Sequence, residues 1–297
     1  MQTRETHTYK VADGRQIEVD VIGARPGARK ACVLWIHGGG LIFGSRTASP
    51  RASFVQALLS RDFVIVSIDH RLAPETKLPG ILDDVSTAWR WLHDVGPHLF
   101  GIDTTRMAMA GASAGAYLSL LAGYLIQPCP RALASFWGYG DITAPWEAEP
   151  SAHYRKMDLI SREEALASLQ ASPVGDPAVG PDRSIFYLYC RQQGLWLEEV
   201  TAHDPRADEV WFDRYCPSRN VTVAFPPTVL VHGTEDSDVP HEESELLSAR
   251  FAAAGVAHEF ISLAGVGHGF AGARPEEIEE TEGAVAGFLQ TQTQRIA

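Results

Sequence analysis

The stretch RMAMAGASAGAYLSLLAGYL, residues 106–125, decides the reading of the chain. Residues 106–110 read as a short buried strand and residues 114–125 as a helix. Between them lies Gly111-Ala112-Ser113-Ala114-Gly115. A strand that turns directly into a helix forces strained dihedrals on the central residue, and its neighbours must be small to avoid clashes. The helix N-terminus behind Ser113 also presents unpaired N–H groups to developing negative charge. A bare G-x-S-x-G pattern arises often by chance. Its position between strand and helix makes Ser113 a candidate nucleophile.

Outward from this point the same alternation continues. Toward the N-terminus, residues 6–11 and 16–22 read as a hairpin joined at Asp13-Gly14, a favoured tight-turn pair. Residues 31–36 and 63–68 are apolar runs rich in strand formers. Ser49-Pro50 supplies a cap and a first-turn proline for a helix ending near Leu59. Ile81, Val85, Ala88 and Leu92 share one helical face across residues 81–92. Toward the C-terminus, strands are expected at 133–137, 227–232 and 258–263, with helices at 240–254 and 275–289. Repeated strand–helix alternation predicts an α/β fold with a mostly parallel central sheet flanked by helices.

Residues 141–224 break this regularity after the sixth strand. They are rich in proline and aromatics and carry one clear helix signal, the capping box Ser161-Arg162-Glu163-Glu164 ahead of residues 165–169. The expected organisation is one sheet core, residues 1–140 and 225–297, with residues 141–224 inserted as a helical or irregular cap. Residues 137–220 hold 11 aromatics in 84 positions, denser than the 9% of the whole chain. Leaving the sheet on the same side as Ser113, such a segment reads as a lid that excludes water and favours apolar or aromatic groups. Many of these rings are also expected to pack the insertion's own small core.

Two further motifs follow predicted strands, the end at which open α/β sheets bind ligands. His37-Gly38-Gly39-Gly40 follows residues 31–36. Its glycines let the backbone approach a ligand closely, so the N–H groups of Gly39 and Gly40, with that of Ala114, are candidate oxyanion donors. Asp236 follows the strand at 227–232 and His268 follows that at 258–263. An imidazole can take a proton near neutral pH, and a carboxylate fixes its tautomer. The order Ser113, Asp236, His268 is the order this fold uses. Asp238, two residues on, is the alternative acid. Leu41 and Phe43 beside the glycines, and Trp196 and Trp211 in the insertion, are the candidate substrate contacts.

These residues carry a resemblance. His37–Gly40, the segment Asp69-His70-Arg71-Leu72-Ala73-Pro74-Glu75, Gly111–Gly115 and Gly267-His268-Gly269-Phe270 resemble the hormone-sensitive-lipase-like branch of the α/β-hydrolases and the related feruloyl-esterase-like hydrolases. The resemblance covers residues 31–289. It implies the α/β-hydrolase fold and hydrolysis of a small carboxylic ester with no metal or organic cofactor. It also implies that the segment from Asp69 to Glu75 braces the loops below the site.

The sequence departs from that pattern at three places. Only 36 residues precede the glycine motif, Ala112 stands where aspartate is frequent, and the Asp236 context resembles dienelactone-hydrolase and prolyl-peptidase relatives. The differences bear on specificity rather than on fold or triad. An amidase, peptidase or lactonase using the same residues is the alternative activity, and a binding protein of this fold the alternative class.

Composition narrows the partners. The chain has 297 residues with a formal net charge of −12, and it contains no Lys/Arg-rich run, which argues against nucleic acid. No apolar window is long enough to span a membrane. Residues 1–10 lack the apolar stretch of a secretory leader, and the four dispersed cysteines read as reduced thiols, so a cytoplasmic protein is expected. Neither H-E-x-x-H nor paired Cys/His spacing is present, so no metal is expected. The resemblance also implies the last helix and last sheet edge as the face of a homodimer, should one form.

Overall fold

The computed structural model describes residues 4–47, 50–170, 172–174 and 181–294. Its centre is an eight-stranded sheet with the order β1-β2-β4-β3-β5-β6-β7-β8. The hairpin β1 (Arg4–Ala12) and β2 (Arg15–Ile22) turns at Asp13 and Gly14, both at positive φ. β2 joins β4 (Phe63–Ile68) antiparallel. From there β3 (Lys30–Ile36), β5 (Ile102–Ala112), β6 (Leu133–Phe136), β7 (Thr228–Gly233) and β8 (His258–Leu263) are all parallel.

Side-chain alternation along each strand divides the core in two. In β3, Cys32, Leu34 and Ile36 face one layer. There they pack with α2 (Leu78–Leu99), α3 (Ala114–Leu125) and α9 (Glu242–Ala254). Ala31, Val33 and Trp35 face the other layer, packing with α1 (Ala52–Leu59) and α10 (Pro275–Gln294). Because helices cover both faces, β3, β4 and β7 read as nearly unbroken apolar runs.

Several expected boundaries shift. Ser49, read as a helix cap, lies outside the described residues, and α1 starts behind Arg51, so Pro50 precedes the helix. α2 runs well beyond residues 81–92, because Pro79 fits its first turn and Pro97 falls within its last. α9 begins at Glu242 rather than at Pro240, with three glutamates in its first turn, and ends at Gly255 with φ 72°.

Between β6 and β7 the described residues form helices and turns. α4 (Pro145–Ala148) is followed by α5 (Arg162–Ser168), capped by Ser161, whose hydroxyl oxygen accepts from the Glu164 N–H at 3.1 Å. Then come α6 (Ser184–Gln193), α7 (Trp196–Thr201) and α8 (Glu209–Arg214). The sequence carries one clear helix signal here, whereas the described residues form five α-helices and two short 3-10 helices. The segment is tied to the sheet core by Arg183, whose guanidinium donates to Glu75 at 2.7 and 2.9 Å and to the carbonyls of Ile42 and Ala73. Among the described residues no helix is long and apolar enough to cross a membrane.

Candidate active site

Ser113 sits between β5 and α3 with φ 54° and ψ −123°, a conformation that costs a non-glycine residue about 1–3 kcal/mol. Its N–H donates to the Phe136 carbonyl at 2.8 Å. Crowding explains the flanking glycines. A Cβ on Gly111 would lie 2.4 Å from Gly115 backbone, and one on Gly115 would lie 2.2 Å from the Ile36 carbonyl oxygen. The strained turn is therefore held by three strands and a helix that close in on it.

The loop after β3 lies against this turn. A Cβ on Gly38 would meet the Ala112 carbonyl oxygen at 2.9 Å and the Ser113 Cβ at 3.3 Å. Gly39 (φ 112°) and Gly40 (φ 58°) adopt backbone suited to glycine. The Gly39 carbonyl accepts from the N–H groups of Ile42 and Phe43 at 2.9 and 3.0 Å. The Gly40 carbonyl accepts from the Trp196 indole at 2.7 Å. Beneath the loop His37 and His70 stack with ring centroids 4.3 Å apart. Burial lowers the pKa of both, so they stay neutral near pH 7. The Asp69–Glu75 segment does brace this region: Arg71 binds Asp84, Asp69 binds Arg46, and Glu75 binds Arg183.

Asp236 and His268 come from the loops after β7 and β8. Those loops are stitched together by the N–H of Glu235 to the Val266 carbonyl at 2.9 Å and of Gly265 to the Thr234 hydroxyl at 2.9 Å. Asp236 Oδ2 lies 2.7 Å from His268 Nδ1. Its Oδ1 accepts from the N–H groups of Asp238 and Val239, each at 2.9 Å, and His232 Nε2 lies 3.3 Å from Oδ2. Burial pushes the Asp236 pKa up, but the hydrogen bonds from His232, His268 and Val239 outweigh it and hold the carboxyl well below its usual range. For His268, burial disfavours the imidazolium, yet the Asp236 hydrogen bond and the charge of Asp238 leave its pKa raised. The structure thus separates the two candidate acids: Asp236 meets Nδ1, whereas Asp238 Oδ2 lies 3.8 Å from Nε2.

Ser113, His268 and Gly38, Gly39 and Gly40 line one cavity of about 380 Å³. Its walls are Phe43 and Trp137 from the sheet side, Tyr154, Met157, Tyr187 and Leu188 from the insertion, and Asp238. A family model for the alpha/beta hydrolase fold matches residues 33–272, which contain every one of these groups. The chain belongs to the α/β-hydrolase fold family.

This α/β-hydrolase is similar to "Non-reducing polyketide synthase Preu6" of Preussia isomera, 28% identical across 90% of this chain but only 14% of that protein. It is also similar to "Esterase LipC" of Mycobacterium tuberculosis, 28% identical across 80% of this chain and 52% of that one. The chain therefore spans about half or less of the length of these curated relatives. Among solved structures, the carboxylesterase EstE1 from a metagenomic library superposes with a TM-score of 0.70 at 20% identity, covering 99% of this chain and 92% of that one.

Of the expected substrate contacts in this α/β-hydrolase, Phe43 lies on the cavity and three do not. Leu41 is 1% exposed, because positive φ (61°) turns its side chain into the core. Trp196 is fully buried, its indole N–H satisfied by Gly40 from behind the loop. Trp211 packs between His203 and Tyr215, with ring centroids 4.1 and 4.3 Å away. The sequence reading did not single out Trp137, Tyr154 and Tyr187 from the other insertion aromatics. Trp137, at φ 43° directly after β6, packs its ring edgewise on His268 at 5.8 Å and on Phe270 at 4.8 Å. Its place at the end of a central strand was the available signal.

Proposed function

We propose that this α/β-hydrolase is a carboxylesterase that cleaves small to medium esters through an acyl-enzyme on Ser113. The observation that carries the reading is the 2.7 Å contact between Asp236 and His268, with His268 and Ser113 facing one cavity. In this reading Asp236 holds the proton on Nδ1, leaving Nε2 free to take the Ser113 hydroxyl proton as the oxygen attacks the ester carbonyl. The tetrahedral oxyanion accepts hydrogen bonds from the N–H groups of Gly39, Gly40 and Ala114. The N–H groups of Gly39 and Gly40 share their peptide planes with the carbonyls of Gly38 and Gly39, which are held before substrate arrives: the first lies 2.7 Å from His37 Nδ1, and the second accepts from the N–H groups of Ile42 and Phe43. His268 then protonates the departing alcohol, and water repeats the sequence to release the acid.

Residues 141–224 act in this account as the cap over a core made of residues 1–140 and 225–297, and Tyr154, Met157, Tyr187 and Leu188 supply its apolar face toward the acyl or aryl group. The four cysteines form no disulfide, which fits a cytoplasmic location.

The test is hydrolysis of p-nitrophenyl esters of increasing acyl length by wild type and Ser113→Ala. The reading expects Ser113-dependent turnover that peaks at short or medium chains. Turnover undiminished in the variant would overturn it.

A further inference from the structure

Asp238 is a carboxylate in the wall of an otherwise largely apolar cavity, and the orientation of His268 does not need it. Asp236 already holds Nδ1. Asp238 Oδ2 instead lies 3.8 Å from Nε2, the nitrogen that handles the proton passed to the leaving group. A charged group in such a wall is costly unless it is held and hydrogen-bonded, and this one is. Its Oδ1 accepts from the Tyr187 hydroxyl at 2.7 Å and faces Arg191 Nη1 at 3.3 Å. Arg191 Nη2 also donates to the Asp238 backbone carbonyl at 3.2 Å. Arg191 is itself fixed, 2% exposed and 2.5 Å from Glu147.

The Tyr187 and Arg191 Nη1 contacts fall on Oδ1, while Oδ2 lies beside Nε2, where the alcohol half of an ester must pass. We propose that Asp238 is a specificity-determining residue that selects esters whose leaving alcohol carries a hydrogen-bond donor close to the ester oxygen, and that rejects anionic alcohols. A hydroxyl two carbons from the ester oxygen donates to Oδ2 in a charge-assisted hydrogen bond. A carboxylate in the same place meets a fixed like charge in a largely apolar wall. The inference rests on the esterase reading of the same cavity.

Three butyrate esters of nearly equal size test it: 2-hydroxyethyl, propyl and carboxymethyl. The quantity read is the ratio of kcat/KM between esters within one protein preparation, which cancels any difference in folded fraction. For wild type the 2-hydroxyethyl ester is expected to exceed the propyl ester by about tenfold, and the carboxymethyl ester to fall about tenfold below it. In Asp238→Asn both ratios move toward one. Were Asp238 only a brace for Tyr187 and Arg191, all three esters would slow together and the ratios would stay fixed, overturning the inference. Wild-type ratios near one overturn it without any variant, as does turnover of p-nitrophenyl esters with none of the three butyrates cleaved. Failure on p-nitrophenyl esters as well would instead sink the esterase reading.

Discussion

Trp196 in α7 donates its indole N–H to the carbonyl of Gly40 at 2.7 Å, joining two residues 156 positions apart. The ring is fully buried, so through this hydrogen bond the inserted segment fixes the plane of the Gly40–Leu41 peptide, one peptide beyond the Gly40 N–H. The carbonyl is held from behind, and the glycine loop keeps its shape without contact from substrate. The insertion thus holds the glycine loop from behind as well as lining the cavity.

Trp196→Phe keeps most of the packing and removes that hydrogen bond. Loss of one neutral hydrogen bond corresponds to a factor of about three to ten. The fall is expected in kcat with KM little changed, since a glycine loop released at the Gly40 carbonyl lets the neighbouring proposed oxyanion donors shift, which weakens the transition state more than the ground state. A rise in KM at constant kcat would place Trp196 in substrate binding instead.

The pH profile follows from His268. In the proposed mechanism the neutral imidazole is the active base; burial opposes its protonation, yet Asp236 and Asp238 raise its pKa above the ordinary 6.5. Activity is therefore lost as pH falls through that raised value, and the acid limb of kcat/KM lies above 6.5. Asp238→Asn removes a negative charge near the imidazolium, lowers the pKa and moves the limb to lower pH. A limb that stays in place or moves up contradicts this electrostatic picture.

Arg191 and Glu147 are each 2% exposed and 2.5 Å apart. The guanidinium also meets the Tyr187 hydroxyl at 3.2 Å and lies over the Trp146 and Tyr154 rings. Arg191→Met strands the Glu147 carboxyl in the interior and is expected to cost about 3–5 kcal/mol of stability. Urea unfolding of the two proteins gives the number. A loss under about 1 kcal/mol would mean that the pair is not structurally required.

Much of this layout was legible in sequence because the central strands carry short apolar runs between turn residues. β4, FVIVSI, has the expected bounds for that reason; the edge strand β8, HEFISL, also keeps its bounds, although only Leu263 in it is buried. The insertion was harder. α6 reads SIFYLYCRQQ, with Arg191 and Gln192 where an outward face is expected, yet both side chains are buried. Glu147 and Asp238 receive the arginine, while the Gln192 amide donates to the carbonyls of Tyr154 and Asp158 at 3.1 and 3.0 Å. These partners are distant in sequence, so no local period could reveal them.

The choice between Asp236 and Asp238 had the same character. Two carboxylates two residues apart look alike as text. They separate when Asp236 Oδ1 takes the N–H groups of Asp238 and Val239, a turn that points Oδ2 at Nδ1 and carries Asp238 round to the other side of the ring. Ser113 and His268 stand out more readily in the text, since each sits among glycines at the end of a strand.

The central claim is that Ser113 is a nucleophile activated by His268, and the most direct measurement is intact-mass analysis after exposure to a fluorophosphonate. The account predicts one phosphonyl adduct per chain, mapped by peptide sequencing to Ser113, with labelling abolished in Ser113→Ala and strongly slowed in His268→Ala. No adduct on folded wild-type protein, or an adduct retained in Ser113→Ala, would contradict it.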